Sequence, residues 1–252
     1  MRLQPIEYIG PAPKVKKQLH PAGGWLLLLF AVALGFFLAR PMLPFLQAQQ
    51  SQPNATNLER AISDLNQQGG FSSRLAAAAL QRTKNPINYS VEYWNIDFPG
   101  GDIPADKGKA EDVIIRAYRS LGVDLQLLVN DDMKANFTRY PYHLWGLERP
   151  DPNIDHRRAA NLQRFFGRNG ETLPISNLAS DYNFGDLVFW NLPEGTTHVG
   201  IVVPGPGELS EDKWIVHNNG SGPRWEDELF AYQVLGHFRY APAEVVAEVT
   251  ES

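Results

Sequence analysis

The residues best placed to do chemistry are two histidines, His198 and His217. Each belongs to a short apolar run rich in β-branched and aromatic side chains: GDLVFWNLPEGTTHVGIVV over residues 185–203, and WIVHNNG over 214–220. Such runs, bounded by turn residues, predict strands at Asp186–Asn191, His198–Val203 and Trp214–His217. Pro193 with Gly195, and the Pro204-Gly-Pro-Gly stretch, supply the turns between them. On a meander of this kind the ends of neighbouring strands lie side by side, which sets the two imidazoles roughly 5 Å apart. Paired imidazoles can relay a proton, activate a nucleophile or hold a metal. The chain has no cysteine, so neither a thiolate nucleophile nor a cysteine-ligated metal is available.

A site on strands needs a scaffold behind it. Ala110, Val113, Ile114, Ala117, Tyr118 and Leu121 fall on one face of a helix that Gly122 ends. This predicts a buried helix with Ala110 in its first turn. Upstream, Asn54 or Asn57 can cap a helix from Leu58 to the Gly69-Gly70 pair, and a second helix runs from Ser72 or Ser73 through LAAAALQR. VDLQLLVNDDMKANF continues helically, and NIDHRRAANLQRFFGRNG reads as a helix capped by Asp155 and closed by Gly167. EDELFAYQVLGHFRY gives a turn and a last strand into Tyr240.

The chain's 252 residues suffice for one sizeable domain plus an extra segment. Net charge is −5, unevenly placed. Of 23 basic and 28 acidic residues, five and one fall within residues 1–40, leaving 18 against 27, a net of −9. A body of that sign repels nucleic acid, so no nucleic-acid partner is expected. Residues 22–40 hold the uncharged stretch AGGWLLLLFAVALGFFLA followed by Arg40, long enough to span a bilayer at ~1.5 Å per residue. The basic segment 1–21 then stays in the cytoplasm and the body is exported, which in a two-membrane cell means a single-pass inner-membrane protein facing the periplasm. The alternative is a signal peptide cleaved after Ala48. Residues 41–57 form a linker, 58–241 the globular domain and 242–252 an acidic tail.

GDLVFW, HVGIVV and VHN resemble the sheet half of the NlpC-type cell-wall cysteine peptidases. With FPGGDIP, DVIIRAYRSLGVDLQ, NIDHRRAANLQRFF and EDELFAYQVLGHFRY, the chain is similar more closely to the bacterial domain-of-unknown-function family 1287, over most of residues 80–240. The resemblance implies an α+β domain of papain-like, NlpC-type topology, with a helical N-terminal half packed on an antiparallel sheet. It implies His198 as general base and His217 as the polar group that orients it. The family's nucleophile lies in a Gly-x-Cys-Thr-Asp segment, which here reads Gly108-Lys109-Ala110-Glu111-Asp112. Ala110 therefore stands at a vacant nucleophile position, and thiol catalysis is excluded in this chain.

Three readings follow. One is a pseudoenzyme that binds peptidoglycan stem peptides or a cell-envelope protein without cutting. Glu111, departing from the pattern beside Ala110, favours this natural drift. Another is a cell-wall amidase or endopeptidase whose cysteine has been exchanged for alanine at 110. A third, of lower weight, is a metal-dependent hydrolase that draws on His198 and His217 with Glu111 or Asp112. No cofactor or resident metal is expected. Glu111, Asp112, Arg157 and Arg158 are candidate substrate contacts, the arginines as a fork for a peptide carboxylate. Glu111 in a first helical turn is also simply good dipole chemistry. His143, near Tyr140, Tyr142 and Trp145, is read as packing a loop; His237 as a hydrogen-bonded strand residue; and His20 as part of the N-terminal tail.

Overall fold

The computed structural model describes residues 53–207 and 211–243, together with Gly10, Trp25 and residues 28–35 of a separate N-terminal unit. Residues 28–35 are helical. Among the described residues no helix is long and apolar enough to cross a membrane. The rest of the expected span over 22–40 lies outside the described residues, as do His20 and the tail from residue 244.

The domain begins with α1 (Ala55–Gln68), whose start is fixed by Asn54: its side chain accepts from the Asn57 amide at 2.9 Å. A glycine pair separates it from α2 (Gly70–Arg82). A long extended segment follows, with β1 (Asn88–Tyr89) pairing in parallel with β2 (Lys107–Gly108). β2 leads directly into α3 (Ala110–Arg119), every residue of which from Ala110 to Tyr118 is buried. Gly122, at φ 82°, ends that helical stretch. Helix then resumes as the separate α4 (Leu125–Asn136), capped by Asp124. α5 (Ala159–Asn169) completes the helical half.

The sheet is antiparallel, in the order β3 (Glu171–Thr172), β8 (Gln233–Arg239), β4 (Leu187–Asn191), β5 (Thr197–Pro204), β6 (Lys213–His217), β7 (Arg224–Glu226). The meander β4-β5-β6 follows the sequence, while β8 returns to the far side of β4. Alternation along the strands separates two apolar layers. Leu187, Phe189, Val199, Ile201, Val203 and Val216 pack against the helices. Val188, Trp190, Val202 and Ile215 turn the other way and are covered by Tyr182 and Leu229. The fold is thus a mixed helix and antiparallel-sheet domain.

Two glycines are required by this packing. At Gly185, φ is +87° and a Cβ would lie 2.2 Å from the Ser72 carbonyl of α2. At Gly200, a Cβ would meet Ile215 Cγ2 at 2.6 Å and the Trp190 ring at 3.1 Å. The expected end of α5 at Gly167 is corrected: the helix runs on to Asn169, and the Phe238 ring occupies the space beside Gly167.

Candidate functional site

The structure brings His198 and His217 together. By the β5–β6 register Ile201 faces Val216, so His198 and His217 are diagonal neighbours on one face of the sheet. His198 Nε2 lies 2.9 Å from His217 Nδ1, and His217 Nε2 lies 2.9 Å from Glu226 Oε2 on β7. A carboxylate only accepts, so Glu226 accepts a hydrogen bond from His217 Nε2–H. Between the two rings one nitrogen donates and the other accepts, which completes the chain Glu226–His217–His198. Burial, and next the neighbouring His217, push the His198 pKa down to about 4, so this imidazole is neutral at pH 7. Glu226 has no counterpart in the sequence expectation. RWE is three residues long and carries two charges, so it gives no strand signal, and only the fold sets it beside His217.

Ala110 opens α3 and is buried, 3 % exposed, in the helix-side layer with Val199 and Val216. The imidazoles sit with Trp190 and Ile215 on the other side of the strands. The end of β6 is tied to the segment that enters α3. There Asn218, the residue after His217, donates to the carbonyl of Gly108, two residues before Ala110, at 3.2 Å.

The acidic residues beside Ala110 face neither imidazole through a hydrogen bond. Asp112 accepts from the Lys109 amide at 2.8 Å, the reciprocal half of a capping box. It also takes both prongs of Arg157, Nε to Oδ1 at 2.7 Å and Nη2 to Oδ2 at 3.1 Å. Glu111 accepts from Lys109 Nζ and from the Ala159 amide, both at 2.9 Å. It therefore caps α5 from a helix 48 residues away in sequence, in place of the expected Asp155. Asp155 instead opens a short 3-10 turn, Asp155–Arg157, and accepts from the Asp151 amide and Arg158.

Both arginines of the expected fork have partners within the chain. Arg157 is 1 % exposed, with its fork filled by Asp112 and its Nη1 on the Glu92 carbonyl. Arg158 pairs with Asp155 at 2.7 Å and lies over the Trp145 ring at 4.3 Å. Glu111, Asp112 and Arg157 bind the fold to itself. His143 is exposed against Tyr142, as loop packing allows. His237 meets Asp186 at 2.8 Å and the Pro174 carbonyl at 3.0 Å. A further buried histidine, His156, has its pKa pushed down to about 3, chiefly by burial and then by Arg157.

With this geometry in hand, residues 76–240 match a protein family described as a domain of unknown function, DUF1287. The chain belongs to that family. Another protein that it resembles is the uncharacterized protein YijF of Escherichia coli (strain K12), 43 % identical over 175 residues, which cover 69 % of this chain and 83 % of YijF. Among solved structures, NlpC1 from Trichomonas vaginalis shares 17 % identity at a TM-score of 0.36, over 66 % of this chain and 44 % of that one. NlpC2 from the same organism shares 19 % at 0.34, over 68 % and 47 %. The chain spans less than half of either solved chain. Within the DUF1287 match lie α3, the imidazole pair and Glu226, so the whole candidate site falls inside the family's domain.

Proposed function

We propose that this DUF1287 domain is a papain-like, NlpC-type module that has kept its site and lost its cut. In this reading it is held at the outer face of the inner membrane by one N-terminal helix, and it binds peptidoglycan stem peptides, or an envelope protein, without turnover. The observation that carries the reading is the relay Glu226–His217–His198, next to which Asn218 is tied to Gly108, two residues before the Ala110 that opens α3. A helix start lowers the pKa of a thiol, and a neutral imidazole takes its proton; here the relay stands ready and the methyl group of Ala110 has nothing to give.

Completeness of the relay favours one second reading, an amidase or endopeptidase whose cysteine has been exchanged at position 110. Purified sacculi separate the two. The full chain is expected to sediment with sacculi and to release no soluble fragments. Release of muropeptides by the Ala110 protein, or failure to sediment, refutes the binding reading. Release by an Ala110→Cys variant supports the second.

A further inference from the structure

Among the described residues, one group of histidine and carboxylate side chains brings three donor atoms together: His217, Glu226 and Glu228, all within 4.8 Å of one another. His217 Nε2 is 2.9 Å from Glu226 Oε2 and 3.6 Å from Glu228 Oε2. His217 Nε2 carries a single proton, and Glu226 is the nearer acceptor for it. Glu228 Oε2 is shut off from solvent and receives no hydrogen bond, although the rest of its side chain reaches water. A buried carboxylate oxygen without a donor is unfavourable unless something positive reaches it.

We infer that His217, Glu226 and Glu228 form a binding site for a divalent first-row cation, zinc being the type. The donor set, one imidazole and two carboxylates, is one that zinc accepts, and three ligands leave a fourth position open. Bonds of about 2.1 Å at a tetrahedral ion set ligand atoms roughly 3.4 Å apart. The spacings of 2.9 and 3.6 Å bracket that value, so closing around an ion takes shifts of well under an ångström at His217. The imidazole is anchored from behind, as metal-bound histidines are, because its other nitrogen is held by His198. Glu226 and Glu228 also border an open groove of about 630 Å³, walled further by Trp214, Trp225 and Asp227.

The site is coupled to the relay. Binding uses the lone pair of His217 Nε2, so the loaded imidazole carries its proton on Nδ1 and donates it to His198 Nε2. His198, accepting at Nε2, then carries its own proton on Nδ1 and is a donor there. This coupling holds whether or not the domain binds cell-wall peptides.

The test is titration of zinc into the metal-free full chain, followed by calorimetry and by imidazole nitrogen NMR. One ion per chain is expected, with the proton of His217 observed on Nδ1 after loading. Glu228→Gln, which leaves the His217–Glu226 bond in place, is expected to weaken binding at least tenfold. Three results each overturn the inference: no saturable binding up to millimolar zinc, unchanged affinity in Glu228→Gln, or zinc bound while His217 keeps its proton on Nε2. Stoichiometry and tautomer are read on the unsubstituted chain, so the inference is decided even if the variant does not fold.

Discussion

Replacing Arg157 with leucine removes the partner of a buried carboxylate. Both side chains of the Arg157–Asp112 pair are 2 % exposed, and two charge-assisted hydrogen bonds join them at 2.7 and 3.1 Å. Arg157→Leu leaves Asp112 with the Lys109 amide as its remaining donor. Breaking one side of a buried pair of this geometry costs about 3–5 kcal/mol, because the stranded charge has lost both water and partner. At roughly 2–4 °C per kcal/mol for a domain of this size, melting falls by roughly 6–20 °C. Urea denaturation of the full chain, followed by tryptophan fluorescence, measures the free energy directly. Arg157→Lys recovers little, since an ammonium cannot fill both carboxylate oxygens in the plane. The double variant Asp112→Leu with Arg157→Leu is expected to lose less than the two single losses added together, since no unpaired charge remains. If Arg157→Leu unfolds within about 0.5 kcal/mol of the original, as surface substitutions do, the arginine is not holding the fold and the reasoning is refuted.

The buried histidines predict acid sensitivity. His198 and His156 have folded pKa values of about 4 and about 3, below the ordinary 6.5, so the unfolded chain binds more protons between those limits. Their contribution is present above pH 6.5 and is lost as pH falls toward 4 and then 3, approaching ~1.4 kcal/mol per pH unit for each group. A urea midpoint that stays constant from pH 7 to pH 4.5 contradicts this, and His156→Phe is expected to flatten the slope. Glu111→Ala takes the cap from α5 and an ion pair from Lys109, and is expected to destabilise by about 1–2 kcal/mol. An unchanged melting temperature would show that the Ala159 amide finds another acceptor.

What the sequence discloses here is local. Runs such as LVFW and HVGIVV can only be buried strands, the asparagine before α1 is a visible cap, and the apolar stripe from Ala110 to Tyr118 is a visible helix face. The approach of His198 to His217 follows from a meander, which is itself short-range. Long-range pairings are hidden. DHRR reads as a solvated helix start until Asp112, 45 residues earlier, is folded against it. The capping of α5 by Glu111 has the same character. Glu226 and Glu228 sit in a stretch of acids and turn residues, where an ordinary charged loop looks no different from the far end of a proton relay. Placement of β8 beside β4 is equally invisible, because strand order is fixed by packing rather than composition.

Glu111 and Asp112 tie the opening of α3 to α5 and to the Asp155–Arg157 turn at once. That makes the helix entry a keystone of the fold, independent of any reaction. Changes at these acids are therefore opposed by the need to stay folded, whatever chemistry position 110 does or does not carry.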